Sequence, residues 1–137
     1  MSGPIIVGVD GSESGWRAVG RSVRLAGALG IDLVAAYVPH HPAIADFSPE
    51  ALAAELQVEA DIETDIRAHL TRVAPGAQLH VLGPGRPGPE LAQLAEELGA
   101  ELIVVATRGR GPISRAALGS VAHHLVSHAT VPVLVER

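Results

Sequence analysis

The sequence predicts an α/β fold: a doubly wound, five-stranded parallel sheet in the order 3-2-1-4-5, with helices on both faces. Three observations carry this. Five short apolar runs are mostly continuous instead of alternating, as strands covered on both faces require. Stretches with helical spacing separate the runs, and strands that alternate with helices join through right-handed crossovers. The 137 residues suffice for one domain, 1–137, with a real core, and no second domain is needed.

The first run is Pro4 to Val9, and Trp16, Val19, Val23 and Ala26 then recur at i, i+3, i+7 and i+10 to predict the first helix. The second run, Leu33 to Val38, leads into the Pro-rich stretch PHHPAIADFSPE, either a lid over the ligand edge or an ordinary connection. Val58, Ile62, Ile66 and Leu70 recur by fours and predict the second helix. Gln78 to Leu82 is the third run, and Leu91, Leu94, Ala95 and Leu98 form the stripe of the third helix. Leu102 to Ala106 is the fourth run, Ser120 to His128 the fourth helix, and Val131 to Val135 the last strand. Pro132 near its start suits a sheet edge, and an uncovered apolar edge strand tends to pair with another chain.

In this strand order the chain leaves strands 1 and 4 in opposite directions, which opens a crevice at their carboxyl ends where ligands of such sheets sit. DGSES after strand 1 and ATRGRGPISRAALGS after strand 4 border it.

Composition removes several classes of function. The formal charge is -5 and the ten basic residues, all arginine, are scattered, which opposes nucleic-acid binding. One Phe, one Tyr and one Trp cannot build a base-stacking platform. The absence of cysteine removes disulfides, thiolate zinc sites and cysteine nucleophiles. The absence of lysine removes a Walker A lysine, a Schiff base and a Ser-Lys dyad. MSGPIIVGVD lacks a basic segment followed by a long apolar one, and no run is long enough for a membrane span, so the expected location is the cytoplasm.

The loop after strand 4 has its own logic. Ser114 to Leu118 suit a short helical turn, Gly119 the left-handed residue that ends it, and Ser120 the N-cap of the next helix. Unpaired amides at that helix start would point into the crevice and hold a phosphate without lysine. Gly109 and Gly111 would let the backbone approach it closely, with Arg108 and Arg110 as charge partners. The plainer alternative is that these glycines only turn the chain and cap helices. Asp10, at the end of strand 1, could accept from ribose hydroxyls or reach a phosphate-bound Mg²⁺; the alternative is ordinary Asp-Gly-Ser turn chemistry.

Other signals are weaker. GPGRPG at 83–88 satisfies G-x-G-x-x-G, but Pro84, Pro87 and Pro89 remove amide donors, and its strand belongs at the sheet edge, away from the crevice. His124 and His128 lie four apart on one helix without a third ligand nearby in sequence, and His128 suits the carbonyl end of that helix. Glu55, Glu59, Asp61, Glu63 and Asp65 read as a solvated helix face, and no G-x-S-x-G elbow anchors a hydrolase triad.

Taken together, IIVGVDGSESGWRAV, GRPGPEL, the spacing of Gly109, nine residues and then Gly119-Ser120, and GSVAHHLVSHATVPVLV resemble the universal stress protein family over essentially the whole chain. Its ATP-binding members carry G-x-x-G, nine residues and G-S or G-T; the first of these glycines is Ala106 here, which adds a methyl group. The resemblance implies that Val9 and Asp10 contact the adenosine part and that Val38 packs on adenine. It also implies that Ala106 to Gly109, with Gly119, Ser120 and Val121, surround the phosphates of ATP, with or without Mg²⁺. It further implies a homodimer through the last strand. Two readings stay open: a nucleotide-binding stress-response regulator, or an interaction module of the same fold that binds no nucleotide. A slow ATPase is a third, although no residue is an evident general base.

Overall fold

The computed structural model describes residues 2–40, 47–83, 85–108 and 118–137. The expectations placed on Gly109, Arg110, Gly111 and 114–117, on Pro84, and on 41–46 of the Pro-rich stretch lie outside these residues.

The elements run β1 (Ile5–Val9), α1 (Glu13–Leu29), β2 (Leu33–Tyr37), α2 (Pro49–Val73), β3 (Gln78–Val81), α3 (Pro87–Leu98), β4 (Leu102–Ala106), α4 (Ser120–His128) and β5 (Val133–Glu136). The strands form one parallel sheet in the order β3-β2-β1-β4-β5. This is the order the sequence predicts. The last strand starts two residues later than Val131, because pairing with β4 begins where the Pro132 carbonyl accepts from the Ile103 N–H, and Pro132 itself has no N–H to give.

The two-residue period of the strands divides the core into two layers. Ile5, Val7 and Val9 of β1, with Leu33, Ala35 and Tyr37 of β2, face α1 and α2. Ile6, Val34, Ala36, Ile103 and Val105 face α3 and α4. Both sides of the central strands are therefore dry, which is why their sequences read as unbroken apolar runs.

Helix α1 departs from the expected stripe. Its buried face is Ser14, Gly15, Ala18, Val19, Ser22 and Ala26, whereas Val23 is exposed and Trp16 only partly buried. Small residues let the helix lie close on the sheet, and the buried Ser22 hydroxyl is satisfied by donating to the Ala18 carbonyl at 2.8 Å. Trp16 instead stacks on His69 of α2, with centroids 3.9 Å apart and planes 8° from parallel. In α2, Ile66 and Leu70 reach the core and Val58 does not. Gly30 ends α1 in the left-handed region at φ 67°, and its N–H bonds to the Ala26 carbonyl.

Candidate functional site

At the carboxyl edge of the sheet, between the diverging ends of β1 and β4, lies a crevice of about 720 Å³. That is within the size range of small-molecule sites. From the β1 and β2 ends come Val9, Asp10 and Val38; from the β4 side come Ala106, Arg108, Gly119, Ser120 and Val121. The topology thus brings Val9, Asp10, Val38, Ala106, Arg108, Gly119, Ser120 and Val121 together; Thr107 is not among the lining residues, and Gly109, Arg110 and Gly111 are outside the described residues. Gly8 and Leu91 belong to the same wall: a Cβ on Gly8 would stand 3.0 Å from Leu91 Cδ1, so the bare glycine lets α3 close against β1.

Asp10 is held by a turn. Its Oδ1 accepts from the Ser12 N–H at 2.9 Å and from the Ser12 hydroxyl. Ser12 in turn caps α1 by accepting from the Gly15 N–H at 3.1 Å. Turn chemistry and ligand chemistry do not compete here, because only one carboxylate oxygen is engaged. The second has no hydrogen-bond partner among the described residues.

The start of α4 differs from the other helix starts. Helices α1 and α2 are each capped by a serine side chain and carry an acidic residue in the first turn, Glu13 and Glu50. Helix α3 places Pro87 and Pro89 in its first turn, which removes two amide donors, and adds Glu90. Helix α4 has neither a side-chain cap nor an acid in its first turn. Its first helical bond runs from the His123 N–H to the Gly119 carbonyl at 2.9 Å, so the Ser120, Val121 and Ala122 amides have no intrahelical acceptor. All three residues line the crevice. Among the described residues nothing caps this helix start or offsets its dipole, and such a start is suited to an anion.

Gly119 plays a different part from the one expected. It is not left-handed but extended, with φ -65° and ψ 163°, and it is itself the N-cap of α4, which makes Ser120 the first helical residue. Its N–H is not free: it donates to the Thr107 carbonyl. The glycine is required by space, since a Cβ there would sit 2.9 Å from Arg108 Cα and 3.1 Å from the Thr107 oxygen. The cap and the end of β4 are therefore in direct backbone contact, a fact about tertiary packing that local sequence does not carry.

The segment after β3 also needs correction. Although β3 is an edge strand, Gly85, Arg86 and Pro87 line the crevice, because α3 crosses back over the sheet and brings its start to the β1 side. Arg86 is thus a second guanidinium at the site beside Arg108. The prolines of that segment distract from it in the sequence.

The two histidines of α4 form a structural pair. Their rings stack with centroids 4.5 Å apart, and His128 Nδ1 lies 3.0 Å from the His124 carbonyl. His124 rests on Gly88 of α3, where a Cβ would fall 2.8 Å from the ring. Burial, and then the neighbouring His128, Arg86 and His123, hold the His124 imidazole below its ordinary pKa. Among the described residues no group of three metal-ligating side chains converges, and no helix is long and apolar enough to cross a membrane.

Comparison with known proteins agrees with this architecture. The sequence matches the universal stress protein family over residues 1–137. It is 31% identical to the universal stress protein Rv1636 of Mycobacterium tuberculosis in an alignment 143 positions long, gaps included, that covers 96% of this chain and 93% of that protein. The fold is similar to that of the universal stress protein UspA from Lactobacillus plantarum, with a TM-score of 0.82, 23% identity and coverage of 98% and 97% of the two chains. A universal stress protein crystallised in complex with cAMP aligns with a TM-score of 0.64, 28% identity and coverage of 98% and 96%. Family match, curated relative and sheet order coincide along the length of the sequence, and the chain belongs to the universal stress protein family.

Proposed function

We propose that residues 1–137 form one domain that binds an adenine nucleotide, ATP in the first instance, and acts as a stress-response regulator rather than as a turnover enzyme. The observation that carries this reading is the first turn of α4, without a side-chain cap or acid, facing a crevice that Val38, Leu91 and Val105 also line. In this reading Val38, Leu91 and Val105 cover the adenine, and the second oxygen of Asp10 accepts from the ribose. The Ser120, Val121 and Ala122 amides bind phosphate oxygens, with Arg86 and Arg108 supplying positive charge in a chain of net charge -5. With no three-ligand cluster among the described residues, Mg²⁺ would arrive with the phosphates, within reach of Asp10. The relative crystallised with cAMP supports the ligand class.

Two chains would pair through β5, an edge strand of mostly apolar residues with one side of its backbone ladder open in the single chain. The cytoplasm is the proposed location.

The second reading, an interaction module that binds no nucleotide, draws on Ala106 in place of the family glycine and on the Gly119 N–H being engaged. Mass spectrometry of small molecules released from freshly purified protein, with calorimetric titration of ATP, separates the two. Released adenine nucleotide or saturable binding is expected. Neither release nor binding at millimolar ATP would favour the interaction module, and sustained phosphate release lost in Asp10→Ala would point to an ATPase.

A further inference from the structure

Ser14 lies in the first turn of α1, outside the residues expected at the site, and it is nine-tenths buried. Its hydroxyl does not serve its own helix. It donates instead across 94 residues of sequence to the Arg108 carbonyl, at 2.9 Å. Arg108 is the peptide at which the chain leaves β4 for the glycine-rich segment, and its Cα lies against Gly119 at the start of α4.

Each hydroxyl has one proton. The Ser12 proton goes to Asp10 and the Ser14 proton to the Arg108 carbonyl, with the two hydroxyl oxygens 3.3 Å apart. The two hydroxyls are thus polar neighbours with no proton between them, and among the described residues Ser14 is the side chain that ties the start of α1, beside Asp10, to the Arg108 peptide on the β4 side of the crevice.

We propose that Ser14 is a positioning residue for the phosphate side of the crevice. By fixing the Arg108 peptide against α1, it sets where the β4 end and the α4 amides stand relative to Asp10. The functional half of this inference rests on the nucleotide reading; the structural half does not. A phosphate-bearing ligand depends on this placement, whereas adenosine, which ends at the ribose, does not.

The test compares wild type with Ser14→Ala and Ser14→Thr, the latter retaining the hydroxyl. Calorimetry with ATP and with adenosine gives the binding ratio, and hydrogen exchange of the ligand-free proteins gives the protection of the Arg108 and Gly119 amides. Ser14→Ala is expected to weaken ATP about fivefold, as loss of one ordinary hydrogen bond would, while adenosine changes by less than about twofold. Both amides should exchange faster in Ser14→Ala, and Ser14→Thr should restore protection. An unchanged ATP-to-adenosine ratio in a protein that binds both, or unchanged exchange, would overturn the proposal. If wild type binds neither ligand, the nucleotide reading fails, and the exchange comparison alone decides whether Ser14 holds the Arg108 peptide. Should Ser14→Thr be too crowded to fold, Ser14→Cys, with a weaker donor, is expected to lie between wild type and Ser14→Ala in exchange.

Discussion

Gly119→Ala places a methyl group where there is no room for one. The new Cβ would stand 2.9 Å from Arg108 Cα and 3.1 Å from the Thr107 oxygen, both backbone atoms that no rotamer change can move. Relief requires the α4 start to shift away from the β4 end, which strains the hydrogen bond from the Gly119 N–H to Thr107. Overpacking of this kind costs about 1–3 kcal/mol. Unfolding entropy of about 2 cal/mol/K per residue makes this a drop in melting temperature of about 3–10 °C for a chain of this length. The same shift moves the Ser120 and Val121 amides, so ATP affinity should fall by about tenfold, the equivalent of one misaligned charge-assisted hydrogen bond. Differential scanning calorimetry and ATP titration measure the two effects. Gly20→Ala is the control: nothing lies within 4 Å of that Cβ, which sits inside α1, so the variant should gain about 0.5–1 kcal/mol. A Gly119→Ala protein that melts and binds like wild type would refute the close-contact reasoning.

At the seam between α3 and α4, Gly88→Ala should destabilise by about 1–3 kcal/mol, because its Cβ would meet the His124 ring; His124→Ala in the same chain should recover part of the loss in thermal melts. Stability should also depend on pH through two groups. His124 has a lowered pKa in the folded chain, so the unfolded state takes up the proton first, and the neutral form's contribution, present above about pH 6.5, is lost as pH falls below that value. Glu136 is lowered by its hydrogen bonds from Arg21, at 3.0 and 3.3 Å, and its contribution is lost at still lower pH, below the usual carboxylate range. Urea melts from pH 8 to about pH 2 should fall in two stages, with His124→Gln flattening the first and Glu136→Gln the second, below the usual carboxylate range; an unchanged profile in either variant would remove that assignment.

Strands were legible in the sequence because burial on both faces leaves a contiguous apolar mark, and β4, Leu102–Ala106, and α4, Ser120–His128, fall where that pattern puts them. The crevice was legible because strand order follows from alternation and handedness, and order places the loops. What local pattern could not carry was distance between segments remote in sequence. Gly119 looks like a left-handed cap until Arg108 is seen against it, and Ser14 looks like an ordinary first-turn serine until its bond to the Arg108 carbonyl is seen. Arg86 was hidden because the route of α3 over the sheet, and not its own neighbourhood, brings it to the site. Apolar spacing alone puts Trp16 and Val23 on the sheet-facing side of α1, whereas close packing selects Gly15, Ala18 and Ser22 beside Val19 and Ala26.

Binding of phosphate by main-chain amides at the α4 start is tested most directly by deleting one amide and nothing else of the backbone. Ser120 is the first helical residue, where proline is tolerated, and Gly119 before it already has the extended conformation that proline demands of its predecessor. Ser120→Pro therefore keeps the helix and removes the N–H, while Ser120→Ala removes only the hydroxyl. Calorimetric titration with ATP should give an affinity at least about tenfold weaker for Ser120→Pro than for Ser120→Ala, as loss of a hydrogen bond to a charged group predicts. Equal affinity in the two variants, with both folded, would contradict it.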